Sequence, residues 1–344
     1  MIQKNKNPIF PSELRFDLVS KDWVVVATGR AKRPETFKKE KRQKIGLSIK
    51  KCPFCNIKTQ EKPVSIWVNG KKIANEEIPK DWTAVVIPNK YPVFLPYKNL
   101  NKKIEGNLYQ KMNAVGFHEV VITRNHNKSL GQFEIQKIKE VIDVYQERFL
   151  NLKKEGFVNY ISIFYNHGVE AGASISHPHS QLIASYLIDT DLNKALETSR
   201  NYYQKNKKCI YCEMSEWERK AKKRIIFENK EFLAICPFAS KASFEIIISP
   251  KKHLSHFEKI TEKEKWQLAE ALQVALGKLY KGLNDPAYNF YLHTAPCDGK
   301  DYPYYHWHWT ILPKTSIWAG FELGTKIEIS TIEPEKAAEY LKKQ

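Results

Sequence analysis

The chain has 344 residues, of which 42% are hydrophobic and 27% charged, and its 17 Phe, 17 Tyr and 8 Trp exclude a disordered polymer. No stretch reaches the ~18–20 uncharged apolar residues of a membrane-spanning helix, and the start, MIQKNKNPIF, has no signal-peptide core, so a cytoplasmic protein of two domains is expected. The net charge is +18, but 47 Lys outnumber nine Arg and no basic tail appears, which favours a phosphorylated small molecule over nucleic acid.

In chain order, the first landmark is Cys52-Pro53-Phe54-Cys55. Two β-branched runs follow, Trp82–Pro88 and Glu119–Thr123, the second leading to His126. Ser129 and Gln132 form a capping-box pattern ahead of Ile135, Ile138, Val141, Ile142, Tyr145 and Phe149, which predicts a helix. A strand over Tyr160–Tyr165 precedes His177-Pro178-His179, and another runs over Gln181–Ala184. The polar run near 185–205 reads as a linker.

The same order then recurs. Cys209-Ile210-Tyr211-Cys212 lies 157 residues after the first pair, and strand-like runs over Phe232–Pro237 and Phe244–Pro250 lead to His253. Thr261 and Glu264 open a helix carrying Trp266, Leu268, Leu272, Leu276, Leu279 and Tyr280. A strand over Tyr288–Leu292 precedes His306-Trp307-His308. His126 to His177 spans 51 residues, and His253 to His306 spans 53. This predicts a tandem duplication, with domains at 1–190 and 191–344, each an α+β unit of mostly antiparallel strands around one long helix.

Two thiolates and two imidazoles make a tetrahedral zinc shell. The first set is Cys52, Cys55, His126 and His177; the second is Cys209, Cys212, His253 and His306, with His256 competing as the third ligand. Such closed shells are structural, and Cys236 and Cys297 read as core residues. The densest run, Asn166-His167-Gly168-Val169-Glu170-Ala171-Gly172-Ala173-Ser174-Ile175-Ser176-His177-Pro178-His179-Ser180-Gln181, combines glycines with neutral donors. In an extended segment His177 and His179 point to one side. A neutral His179 beside phosphate donors suits attack on phosphorus; a core role for His179 is the bland alternative.

This run resembles the active site of the galactose-1-phosphate uridylyltransferase family, a branch of the histidine-triad superfamily, and the resemblance extends over nearly the whole chain. It implies that His179 becomes nucleotidylated and that Gln181, Ser174 and Asn166 bind phosphate; Ser180, within the same run, reads as a further neutral donor at the substrate. It further implies Asn89 at the nucleotide, Arg30 and Arg33 in the stretch Asp22–Pro34 near the phosphates, Lys314 near the acceptor phosphate, His308 at the substrate, a homodimer, and zinc at the first shell. Two departures stand out. Ser180 occupies a position where the family usually has Gly, and Ile332 falls where the family has a sugar-binding Gln; instead, Gly320-Phe321-Glu322-Leu323-Gly324-Thr325 is more similar to the ADP-glucose phosphorylases, which also carry a second CxxC-type site. The reading is therefore a double-displacement nucleotidyltransferase of galactose metabolism. A UDP-glucose:hexose-1-phosphate uridylyltransferase comes first, and an ADP-sugar phosphorylase using inorganic phosphate is the alternative. No nucleic acid or membrane partner is expected. Readings of other classes are a zinc-stabilised nucleic-acid-binding protein and a dinucleoside polyphosphate hydrolase.

Overall fold

Residues 12–27, 34–38, 48–74, 77–97 and 99–344 are described in the computed structural model; Arg30 and Arg33 lie outside them. Glu13–Phe16 (β1) and Trp23–Val26 (β2) pair antiparallel, and Ile329–Ser330 (β16) joins β2 in parallel. Lys103–Glu105 (β6) and Tyr109–Lys111 (β7) form a separate hairpin.

The remaining strands make one sheet. Ser65–Val68 (β3), Lys71–Ile73 (β4), Ala84–Pro88 (β5), Gly116–Thr123 (β8), Tyr160–His167 (β9) and His179–Ser185 (β10) precede residue 190. Ile225–Glu228 (β11), Phe232–Ile235 (β12), Ile246–Pro250 (β13), Tyr288–His293 (β14) and His308–Pro313 (β15) follow it. Their order is β11-β12-β13-β15-β14-β9-β10-β8-β5-β3-β4, and all the pairings are antiparallel. From the central β14/β9 pair, each half runs outward in the same order: the strand after the long helix, the strand after the HxH, the strand before the lone His, then the strand preceding that.

The helices explain the apolar spacing. Pro34–Lys38 (α1) places Phe37 against Phe244, ring centroids 5.3 Å apart. Ile135–Leu152 (α2) and Glu262–Leu283 (α5) pack together and supply the main core with Ile138, Ile142, Tyr145 and Phe149 from α2 and Leu268, Leu272, Leu276 and Leu279 from α5. Alternation along β10 sends Ser180, Leu182 and Ala184 into that buried layer and His179, Gln181 and Ile183 to the opposite face. The capping box at Thr261 opens α5 as expected: Thr261 N–H donates to Glu264 Oε2 at 2.8 Å. The one at Ser129 does not open α2. It opens the short 3₁₀ turn Leu130–Gln132, and α2 starts three residues after that turn ends.

The linker expectation also changes. Most of that segment is the helix Thr190–Asn206 (α3), capped by Asp189, whose carboxylate accepts from Leu192 N–H at 2.8 Å. It buries Leu192, Leu196 and Ser199 on one face, and its polar remainder faces solvent, which is why the composition resembled a linker. Ile210–Ala221 (α4) starts within the second CxxC, with Cys209 at its N-cap and Cys212 in its first turn. Gly320–Thr325 (α6) and Pro334–Lys342 (α7) close the chain. No helix among the described residues is long and apolar enough to cross a membrane.

Candidate active site and metal shells

Both Cys/His sets come together. Cys52, Cys55, His126 and His177 converge, as do Cys209, Cys212, His253 and His306, with the ligand atoms of each set within 4.8 Å of one another. His253, not His256, completes the second set; His256 is buried with its Nδ1 3.9 Å from Glu258 Oε1. A tetrahedral ion with bonds of ~2.3 Å to sulfur and ~2.0 Å to nitrogen requires S···N edges near ~3.5 Å and an N···N edge near ~3.3 Å. The first set has S···N separations of 3.6, 3.2 and 3.4 Å and an N···N separation of 3.3 Å. In the second, Cys212 Sγ lies 3.4 Å from both His253 Nδ1 and His306 Nδ1. The donor set and its dimensions therefore fit such an ion.

The outer contacts repeat too. His177 Nε2–H donates to the Thr123 carbonyl at 2.5 Å and His306 Nε2–H to the Pro250 carbonyl at 2.9 Å, each carbonyl at the end of the strand before the lone His. Each bond turns Nδ1 toward the shell as a lone-pair donor.

One residue beyond Pro178, the chain enters β10. His179 Nδ1–H donates to the His177 carbonyl at 2.8 Å, so its Nε2 carries the lone pair. Phe54, from the first CxxC, meets its ring edge-on, centroids 4.9 Å apart. Burial holds the imidazole below its usual pKa, partly offset by that carbonyl bond. Gln181 follows on the same face. Its Oε1 accepts from His118 Nε2–H at 2.8 Å, and Asn89 Nδ2 lies 3.1 Å from the same His118 nitrogen. Asn166, on β9, shares this face, because Gln181 sits opposite Phe164 and Asn166 lies two residues further along.

Ser180 departs from expectation. Its hydroxyl is buried on the helix side and bonded to Tyr145 Oη, so its side chain is turned away from the face that carries His179. Ser174 is exposed on the loop before His177. That loop needs its glycines for backbone reasons: Gly168 has φ +83°, and a Cβ there would lie 2.7 Å from the Ala287 Cβ. The N–H groups of Ala171, Gly172 and Ala173 are taken by carbonyls of Gly168 and Val169 within the turn. Asn166, His308 and Lys314 line a cavity of about 1370 Å³, together with Tyr160, Tyr291 and His293, whereas His179, Gln181 and Asn89 lie outside it. Lys314 stands over the Trp318 ring at 5.4 Å, and burial lowers its pKa. Cys236 is fully buried and Cys297 partly so; neither joins a shell. His118 and Asn289, the partners of Gln181 and Asn166, carried no sequence signal.

A family model described as the N-terminal domain of galactose-1-phosphate uridyl transferase matches residues 3–188, more than half of the chain. The chain belongs to the galactose-1-phosphate uridylyltransferase family. It is thus a nucleotidyltransferase. A second model, a domain of unknown function (DUF4921), matches residues 98–344. Among relatives, ADP-glucose phosphorylase of Arabidopsis thaliana is 33% identical over 98% of this chain and 93% of its own. Galactose-1-phosphate uridylyltransferase of Thermotoga maritima is 29% identical over 96% of this chain and 98% of its own. The crystal structure of the Arabidopsis enzyme with bound ADP-glucose superposes with a TM-score of 0.78 at 30% identity, covering 97% of this chain and 99% of that one.

Proposed function

We propose that the protein transfers a nucleotidyl group from a nucleotide sugar through a covalent intermediate on His179. The observation that carries this reading is the fixed tautomer of His179: with Nδ1–H held by the His177 carbonyl, Nε2 offers its lone pair on the face shared with Gln181 and Asn166. Nε2 attacks the α-phosphorus of the nucleotide sugar, forming a P–N bond as the P–O bond to hexose 1-phosphate breaks with its electron pair. An acceptor phosphate oxygen then attacks the same phosphorus and restores the free imidazole. Gln181, Asn166 and Ser174 serve the phosphoryl oxygens, Asn89 the nucleotide, Arg30 and Arg33 the phosphate charge, and Lys314 and His308 the acceptor side. Positioning and electrostatics supply most of the acceleration in such transfers.

Zinc suits both Cys/His shells, and with four protein ligands it would hold the site together and leave no position for water. Through the shared His177–His179 segment the first shell fixes where the nucleophile stands. The repeated element order supports two duplicated triad-like halves, 1–190 and 191–344. A cytoplasmic homodimer is part of the same reading.

The first assignment of substrates is UDP-glucose with galactose 1-phosphate as acceptor, in keeping with the family. A second, ADP-sugar phosphorolysis by inorganic phosphate, is favoured by the 33% identity to the Arabidopsis phosphorylase over nearly the full chain. A panel of UDP- and ADP-sugars, each with hexose 1-phosphate or inorganic phosphate, separates them by the sugar 1-phosphate released; water as effective acceptor would indicate a hydrolase. Label in the α-phosphate should remain on the protein without acceptor, acid-labile and base-stable, and His179→Ala should take up none. Turnover by an unlabelled protein, with intersecting instead of parallel reciprocal plots, would refute the covalent route. Salt-dependent nucleic-acid binding without turnover would replace the reading altogether.

A further inference from the structure

Two amides flank His179 on one face of the sheet, and each has its oxygen already engaged. Gln181 Oε1 faces His118 Nε2 at 2.8 Å. The other nitrogen of that imidazole, Nδ1, accepts from the Val93 backbone N–H at 3.3 Å, which places the hydrogen on Nε2 and makes it the donor to Gln181. The Asn89 amide nitrogen, 3.1 Å from that Nε2 and oriented by its own Oδ1 accepting from the Tyr91 N–H, is a second donor there and makes no hydrogen bond with it. Burial lowers the His118 pKa, offset in part by its bond to Gln181, which favours the neutral ring. On the other side, Asn289 Nδ2 donates to Asn166 Oδ1 at 2.8 Å and to the Ala171 carbonyl at 2.9 Å. The Ala171 carbonyl accepts only, so that end of the Asn289 amide is nitrogen, and the atom of Asn166 it meets is oxygen. Neither amide can flip without setting two donors or two acceptors against each other.

The strands make this a single arrangement. β8, β10, β9 and β14 are successive neighbours, carrying His118, Gln181, Asn166 and Asn289 respectively. With each oxygen accepting from its partner, the NH2 group of each amide is turned the other way, and among the described residues neither NH2 group has a protein partner. Two neutral donors thus share the face of the imidazole that carries the free lone pair, one two residues along β10 and one across the strand pair on β9.

We infer that His118 and Asn289 are positioning residues that lock Gln181 and Asn166 as hydrogen-bond donors to the anionic oxygens of the phosphoryl group attacked by His179. This rests on the nucleotidyl-histidine reading above. Donors aimed before the reaction cost no reorganisation as charge shifts onto those oxygens. Asn289 lies on β14 in the 191–344 half, so a side chain of the second half helps to orient a phosphoryl donor of the first.

Two double-mutant cycles on the full-length protein test it, His118→Ala with Gln181→Ala and Asn289→Ala with Asn166→Ala, read as the single-turnover release of sugar 1-phosphate and as steady-state kcat and KM. Each single variant should lower kcat roughly 10–100-fold with little change in KM, and each double variant should be no slower than its amide variant alone. His118→Gln, which keeps a donor, should recover most of the rate. Asn289→Asp, which keeps the shape but sets an acceptor against Asn166 Oδ1, should be as slow as Asn289→Ala with an unchanged melting temperature. These two near-isosteric variants decide the matter if the Ala variants do not fold. Effects that multiply in the double variants, or a full rate in His118→Ala or Asn289→Asp, would overturn the positioning role. Wild-type protein that releases no sugar 1-phosphate from any nucleotide sugar would instead overturn the nucleotidyl-transfer reading.

Discussion

Ser180→Ala separates the two faces of β10. Ser180 is 3% exposed and Tyr145 is 1% exposed, and their hydroxyls hydrogen-bond within the layer between the sheet and α2. Removing the Ser180 hydroxyl leaves the Tyr145 Oη buried without that partner. An unsatisfied buried hydroxyl costs about 1–3 kcal/mol, whereas replacing both partners by apolar groups is close to neutral. Ser180→Ala should therefore destabilise the protein by about 1–3 kcal/mol, and Ser180→Ala combined with Tyr145→Phe should cost less than the sum of the single changes. The chemical step should keep its rate, because the hydroxyl points away from His179 and Gln181. Urea denaturation gives the stability and single-turnover labelling of His179 the rate. A Ser180→Ala protein of unchanged midpoint but slowed labelling would put Ser180 in the phosphate site and refute the face assignment.

Two further changes test the framework. Cys52→Ser and Cys209→Ser should each remove one of two zinc ions per chain, measured by metal analysis of the purified protein, and lower its thermal midpoint; a wild-type preparation without zinc would refute the assignment. Glu119→Ala should cost about 3–5 kcal/mol by chemical denaturation, because Arg148 donates to both carboxylate oxygens at 2.8 and 2.7 Å with both side chains buried, and Glu147, 3.8 Å away, is a weak substitute. A loss below about 1 kcal/mol would show that the guanidinium reaches water or a new partner.

The two Cys/His clusters were legible because each is written into short stretches: CxxC sets two sulfurs close together, and the first His of each HxH stands just before a strand. The long helices were legible from their apolar spacing. His118 and Asn289 were not, because they matter only through strand register. His118 reaches Gln181 across 63 residues and Asn289 reaches Asn166 across 123, and neither sits in a motif. Ser180 was misread for the opposite reason, since its place within a dense motif concealed the alternation that turns it to the core. At α3, a buried face of only three residues left the composition looking like a linker.

The second half carries a near copy of the nucleophile's setting, and the comparison shows what a reactive imidazole needs. His308 Nδ1–H donates two residues back to the His306 carbonyl at 3.1 Å, as His179 does to His177 at 2.8 Å. Tyr211, the counterpart of Phe54 in the CxxC, lies 5.5 Å from the His308 ring. A fixed tautomer beside a Cys/His cluster is therefore common to both halves. The flanking donors are not. Two residues beyond His308 stands Thr310, buried, where Gln181 follows His179. Across the strand pair from His308 stands His293, its ring stacked at 4.7 Å, whereas the first half places Asn166 beside His179. In place of the two amides, the corresponding positions beside His308 hold Thr310 and His293, so the pair of oriented amide donors found beside His179 is not repeated there. On the nucleotidyl-histidine reading, the choice of which half performs the chemistry thus lies in Gln181 and Asn166, and in the residues that keep their NH2 groups pointed outward, more than in the imidazole itself.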